Sequence, residues 1–229
     1  MGQFVNRDTE NLKIYDVLDA KTFKEVYALD RLMNLYCFEM QGAYKTTEVY
    51  FDTPGSLLER AGISLCKVYE RKRTYFRIEK QNYVPLSSML KVRQETVYVH
   101  ECETQASIAD IKLYIMDGIT SMFSTSLNFD LEDIIKNLHA KLEIRTQATL
   151  VKVLRGNGFK AEMSFENVSY NNHFTKKTSN SMMVRVEMTS AKTYADSFED
   201  FTSKLEKYCK KLIPIKDSKY QIGIKATKR

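Results

Sequence analysis

Residues 49–80 read VYFDTPGSLLERAGISLCKVYERKRTYFRIEK, and the reading of this stretch decides the fold. Val49, Tyr50 and Phe51 are strand formers, and Asp52-Thr53-Pro54-Gly55 is turn chemistry. Leu57, Leu58 and Ala61 give a short helix one buried side, which Gly62 closes. Ile63 and Leu65 resume the extended character. The charged run Glu70-Arg71-Lys72-Arg73 then makes a hairpin, and Tyr75 to Ile78 lead back. The order is strand, stop, one helical turn, strand, hairpin, strand.

Working outward, the same alternation recurs along the chain. Residues 12–18 and 45–51 read as strands, and Asp19 caps a helix whose apolar residues Phe23, Val26, Tyr27, Leu29, Leu32 and Met33 fall at helical spacing. Residues 90–103 form the most regular strand: Arg93, Glu95, Val97, Val99, Glu101 and Glu103 share one face. Residues 108–123 and 131–138 are amphipathic helices. Residues 141–153 put Lys141, Glu143, Arg145 and Gln147 on one face. Gly156-Asn157-Gly158 turns the chain, and 159–170 returns with Lys160, Glu162, Ser164 and Glu166 on one face. Residues 173–181 lack a pattern and read as a loop. In 182–188, Arg185 and Glu187 face one way and Val184, Val186 and Met188 the other. A long helix follows on Phe198, Phe201, Leu205, Tyr208 and Leu212, ending at Pro214.

At 229 residues with 43% hydrophobic content, the chain can bury a full core. Its net charge of +6 suits a polyanionic partner, although many proteins with no such partner are equally basic. Cys37, Cys66, Cys102 and Cys209 are far apart and His100, His139 and His173 are dispersed, which excludes a zinc-finger spacing and fits reduced thiols. The opening residues lack an apolar core and no window approaches ~18 apolar residues, so neither a signal peptide nor a membrane span is expected and a cytoplasmic protein is. Phosphate-loop, dinucleotide-loop and nucleophile-elbow motifs are absent, and no aromatic clustering marks a nucleic-acid platform.

Tyr50-Phe51-Asp52-Thr53-Pro54, Leu57-Leu58, Ala61-Gly62-Ile63, Leu65 and Lys80, with Ser218-Lys219-Tyr220 near the end, resemble the CYTH family of triphosphate tunnel proteins. They resemble the VTC polyphosphate polymerases less closely. The resemblance runs from about residue 44 to 220 with element order kept. It implies an α+β fold: an antiparallel eight-stranded-type β-barrel, a CYTH-like triphosphate tunnel, with helices packed outside and residues 1–229 as a single domain. The departures are specific. Cys66 and Val68 stand where the family has two arginines, although Lys67, Arg71 and Arg73 lie close by. The best register of the first strand places Asn11, Lys13 and Tyr15 on the family's E-x-E-x-K signature, with Glu10 and Asp16 on the other parity. The metal-holding glutamate pair is therefore absent there. Arg93 and Glu95 keep two members of an R-x-E-x-E strand, and Glu187 keeps one glutamate of an E-x-E strand in which Arg185 replaces the other.

Charged alternation has two meanings. In a sheet packed on helices the charged face is simply outside; in a barrel covered by helices it lines the tunnel. On the tunnel reading, Lys80, Arg77, Arg93, Arg145, Arg185 and Lys219 bind phosphate, Lys219 being the lysine that the S-K-Y resemblance assigns to it. Glu95, Glu162 and Glu187 would hold Mg²⁺ or Mn²⁺. Lys80 and Arg77 are alternatives: family register turns Phe76, Ile78 and Lys80 inward, whereas polarity selects Arg73, Tyr75, Arg77 and Glu79. The expected partner is a triphosphate, polyphosphate or nucleotide, with no membrane and nucleic acid not favoured. A homodimer stays open. Metal-dependent hydrolysis or transfer is one expectation; a noncatalytic anion sensor or a partner-binding domain that keeps only the fold is the alternative. A class IV adenylyl cyclase would need the same missing glutamates and ranks lower.

Overall fold

The computed structural model describes the backbone of residues 3–85, 91–123, 130–156, 158–188 and 195–228, and their side chains except at 3–11, 80–85, 91–97, 122–123, 188 and 195–196. The elements run β1 (Gln3–Val17), α1 (Ala20–Tyr27), β2 (Arg31–Leu32), β3 (Tyr36–Asp52), α2 (Leu57–Arg60), β4 (Ile63–Tyr69), β5 (Thr74–Pro85) and β6 (Lys91–Cys102). Then come α3 (Lys112–Phe123), α4 (Leu131–Lys136), β7 (His139–Leu154), β8 (Lys160–Asn172), β9 (Lys177–Met188), α5 (Ala195–Tyr208), β10 (Leu212–Ile215) and α6 (Lys219–Ala226). The fold is α+β and every described strand pairing is antiparallel.

The sheet starts and ends on one strand. From β1 the order is β6-β5-β4-β3-β7-β8-β9, and β9 pairs back onto β1. The two contacts use different stretches of β1: residues 3–12 pair β6, and Leu12–Asp16 pair β9. The result is a tunnel-like curl with a staggered seam, not a flush closed cylinder. A register shift between Thr9 and Leu12 changes which residues of β1 face inward.

Two apolar clusters cover the outside. Phe198, Phe201 and Leu205 of α5 and Val26 of α1 pack on Tyr15, Val153, Met163 and Val184. Ile115 and Ile119 of α3, with Ile134 of α4 and Leu58 of α2, pack on Leu65, Phe76 and Ile78. Helix α3 approaches closely at Gly118, where an added Cβ would lie 2.7 Å from both Ile78 Cδ1 and Tyr98 Cδ1. The third cluster is different. Ile14, Tyr50, Cys66, Tyr75, Val99, Ile144, Val168 and Met183, one from each strand of the curl, join Tyr220, Ile222 and Ile224 of α6. A helix that shares one cluster with all eight strands lies inside the curl and plugs one end of it.

The plug explains a departure from the sequence reading of β7. Its Leu142 and Ile144 face α6, so the apolar face of β7 is inside and its charged face outside. Other elements differ in extent. Strand β3 begins at Tyr36 and not near residue 45, because residues 37–43 pair with 149–154. Leu32 lies in β2, not in α1. Residues 177–181, read as loop, belong to β9 and pair residues 168–172. Helix α5 stops at Tyr208, which is exposed, and Leu212 pairs Val17 at the sheet edge, where Pro214 needs no ladder hydrogen bond.

Candidate functional site

Opposed residues in an antiparallel ladder share a face, so the register assigns the interior. Cys66 and Val68 belong to the interior cluster and pair Arg77 and Tyr75, which sets Tyr75, Arg77 and Glu79 inward and leaves Phe76 and Ile78 against α3. The choice left open by sequence thus falls to polarity. Lys80 pairs Ile63, and its side chain lies outside the described residues, as do those of Arg93 and Glu95. The β9 ladder sets Met183, Arg185 and Glu187 inward opposite Glu166, Ser164 and Glu162. Helix α6 delivers Lys219 from the plugged end. Ser218 starts that helix with a reciprocal capping box on Gln221.

A cavity of about 1540 Å³ is lined by Arg77, Arg185, Lys219, Glu48, Glu162 and Glu187, with Tyr44, Thr46, Tyr75 and Ser164 between them. It continues past Lys24, Lys45 and Arg71-Lys72-Arg73. Arg145 is not part of it: its side chain is 68% exposed and pairs with Glu143 on the outer face of β7. Arg145 is a correction to the tunnel set, and the reason is the apolar plug behind it.

The interior cations are already matched. Arg77 Nη2 donates to Glu48 Oε1 at 2.8 Å, and its Nε lies 2.7 Å from Glu79 Oε1. That second contact is close but poorly aligned, so it counts as an ion pair and not as a hydrogen bond. Arg185 pairs Glu187 two residues on. Lys219 Nζ lies 2.6 Å from Glu166 Oε2, while Glu166 Oε1 accepts from Ser164 Oγ at 2.7 Å and Tyr44 Oη at 3.3 Å. Burial alone would raise the Glu166 carboxyl; the Lys219 and Arg185 charges outweigh it and hold the group below its ordinary value. Burial likewise opposes charge on Arg77, but Glu79 and Glu48 keep the guanidinium more firmly protonated than usual. Ser64 Oγ, Thr146 Oγ1 and Arg185 Nε are buried with no hydrogen-bond partner among the described residues.

At the mouth fewer charges are matched among the described residues. Arg73 is tied to Glu70, but among the described residues Arg71, Lys72 and Lys45 make no ion pair. Glu48 was missed by sequence reading, although the alternation Tyr44, Thr46, Glu48, Tyr50 carried the signal. Lys67, near the position of a family arginine, faces out: its Nζ donates to Thr104 O and Ala106 O at 2.7 and 2.6 Å.

The first strand reads differently in three dimensions. Lys13 and Tyr15 point outward to α5, both on Glu206 Oε1, at 2.5 and 3.0 Å. The interior positions are Leu12, Ile14 and Asp16, opposite Glu187, Arg185 and Met183. Asp16, placed on the wrong parity by sequence, is therefore on the inner face. Glu162 and Glu187 sit directly opposite each other in the β8–β9 ladder. No group of three His, Cys, Asp or Glu positioned for a metal occurs among the described residues. Two carboxylates still fit a Mg²⁺ that keeps waters and takes its other oxygens from phosphate.

No family model matches the sequence, and no curated protein matches it. Solved structures do share its architecture. A candidate adenylate cyclase from Bacillus halodurans is 13% identical, with a TM-score of 0.55, over 93% of this chain and 96% of that one. Hippeastrum HpAC1, described as a candidate adenylyl cyclase with a dominant triphosphatase activity, is 10% identical, with a TM-score of 0.58, over 94% and 95%. The curled antiparallel sheet and its outer helices are the architecture of these structures, a CYTH-like α+β fold.

Proposed function

We propose that the protein binds a triphosphate-type anion, whether linear triphosphate, the end of a polyphosphate or a nucleotide, in the cavity between the 70–73 hairpin and α6. The observation that carries this reading is the gradient of cations: Arg71 and Lys72 at the mouth, which make no ion pair among the described residues, then Arg77, Arg185 and Lys219 on the inner wall. Unpaired surface charge raises the capture rate of an anion. Cations in a water-poor cavity hold phosphate oxygens more strongly than surface ones, and guanidinium does so bidentately. The fold shared with a protein described as a triphosphatase supports this class of ligand.

Binding without turnover is the form the interior favours, because the β1 residues opposite Glu187 and Arg185 are Leu12 and Ile14, and the inward carboxylate of β1, Asp16, stands opposite Met183, away from the Glu162–Glu187 pair. One observation favours hydrolysis as a second reading, namely the opposed Glu162 and Glu187. These two would hold Mg²⁺ or Mn²⁺, and the ion would supply charge neutralisation on the phosphates. The chain's own part would be to orient them through Arg77, Arg185 and Lys219 and to exclude water with α6.

The test is a thermal-shift titration with tripolyphosphate, long-chain polyphosphate and ATP, with and without Mg²⁺ or Mn²⁺, with phosphate release read in the same wells. Stabilisation without release is the expected outcome. The double substitution Arg71→Glu, Lys72→Glu should weaken tripolyphosphate binding several-fold, roughly, and most at low salt. Metal-dependent release that Glu187→Gln abolishes would move the assignment to the hydrolase. If no polyanion shifts the melting temperature, the tunnel reading is wrong.

A further inference from the structure

Strand β3 is paired along nearly its whole length on one edge only. On its β7 edge the pairing runs from Cys37 to Asp52, with Gln41 left over at a register shift. On the opposite edge β2 covers Tyr36 and Cys37, and β4 covers Thr47 to Phe51. Phe38 N–H closes the β2 end on Asp30 O at 2.9 Å, and among the described residues no strand meets 39–46 on that side. The gap is roughly 26 Å long at ~3.3 Å per residue. The backbone groups that face it follow from the hairpin. Glu70 N–H donates to Arg73 O at 3.0 Å, which turns Glu70 toward β5 and Tyr69 toward Thr47. Alternation then aims the N–H and C=O of Lys45 and Ala43 into the gap. Residues 39–43 and 45 are exposed, and the Met40 Sδ lies 4.0 Å from Tyr27 Oη on α1.

We propose that this gap takes an extended acidic segment of a partner protein, added as an antiparallel strand between β2 and β4. The backbone half of recognition is strand addition: the segment bonds to groups of β3 that the sheet itself leaves without a ladder partner. Charge supplies the other half. Lys45, Arg71 and Lys72 stand at the β4 end and make no ion pair among the described residues, while Glu39 stands at the β2 end. The segment is therefore acidic where it meets the 70–73 hairpin. A second copy of this chain fits the gap badly on two counts. It brings Lys45 and the same basic hairpin to a like edge, and an edge lysine guards against that pairing. Strand β3 is also 17 residues long, longer than the gap that β2 and β4 bound, so the matching strand of a second copy meets them end-on. The inference goes beyond anion binding in the tunnel and does not depend on it.

The probe is a blocked peptide of about eight residues in which glutamate and valine alternate, titrated into the full chain with amide hydrogen exchange read by NMR. The expected result is binding that weakens with salt and slows exchange at Ala43 and Lys45 by about tenfold or more. The same peptide methylated on every backbone nitrogen keeps its charge and loses its donors, so it should bind several-fold more weakly. Equal binding of the two peptides would overturn the proposal, because charge on the hairpin or in the tunnel would then account for it. Ala43→Pro removes a gap-facing N–H on an edge where proline is tolerated, and should weaken the unmethylated peptide likewise. If that variant fails a circular-dichroism check of folding, the methylated peptide decides alone. No slowing at Ala43 and Lys45 with millimolar peptide would overturn the proposal too. So would a dimer of the free chain in sedimentation that Ala43→Pro dissolves, which gives the gap to a second copy.

Discussion

Asp52 shows how much a single residue of the deciding stretch carries. Its carboxylate accepts from the backbone N–H groups of Thr53 at 2.8 Å, Leu58 at 3.0 Å and Glu59 at 3.3 Å, which ties the end of β3 to α2. Lys141 of β7 lies 3.1 Å from Asp52 Oδ2 and 2.6 Å from Glu59 Oε2. Sequence identified Asp52-Thr53-Pro54-Gly55 as a turn, and turn chemistry is what it is. The lysine arriving from eighty-nine positions away was not legible, because no local rule links them. Asp52→Ala strips the cap and leaves the buried ammonium with Ser56 and Glu59 but without its buried carboxylate. Urea denaturation should register a loss of about 3–5 kcal/mol, with Asp52→Asn losing less because it keeps an acceptor. An Asp52→Ala loss below ~1 kcal/mol would mean that α2 is held by packing alone.

At the scale of elements, α6 decides the interior. An added Cβ on Gly223 would come within 2.5 Å of Tyr170 Cδ1 and 2.8 Å of Leu142 Cδ2, so the helix fits only because that position has no side chain. Gly223→Ala should push the plug outward, cost about 1–3 kcal/mol and shift Lys219 off Glu166. The measurement is a melting temperature by circular dichroism together with the tripolyphosphate thermal shift. An unchanged melting temperature would mean that Tyr170 and Leu142 repack freely. The same helix explains which strand faces sequence could assign. On β8 and β9, charged residues alternate with apolar ones that pack under α1 and α5, so inner and outer faces follow from alternation. On β7, α6 makes the inside apolar, and the alternation points the wrong way for Arg145.

For the molecule as a whole, the formal charge of +6 describes the chain and not the cavity. Interior cations are matched by glutamates, and among the described residues Arg71, Lys72 and Lys45 at the mouth make no ion pair. This arrangement sets the acid limb of stability. Glu166 is fully buried and its carboxyl is held below the ordinary range, so it binds fewer protons folded than unfolded. Its contribution is present above the unfolded carboxylate value and is lost as pH falls through the folded one. Lys219→Met should therefore cost about 3–5 kcal/mol at neutral pH and progressively less in acid, where Glu166 is neutral in both proteins. Urea midpoints across pH 3–7 would check it, and a constant difference between the two proteins would rule out the pair as its source. No helix among the described residues is long and apolar enough to cross a membrane.

The sequence by itself determined the strand–turn–helix–hairpin block, the antiparallel alternation, most helices and the α+β tunnel class, because turn chemistry and periodicity act over a few residues. It also placed Arg77 among the candidates, along with Arg185, Lys219, Glu162 and Glu187, which all line one cavity. Only the tertiary structure decided which face of each strand is inside. The shift in β1 between Thr9 and Leu12 turns Asp16 inward and sends Lys13 and Tyr15 to Glu206. The plug turns Arg145 outward. Ion partners such as Glu48 and Arg77 stand on β3 and β5 with β4 between them, a proximity that only the sheet order sets. A one-residue slip reverses every side chain of a strand, and in this protein both the slip and the plug come from contacts distant in sequence.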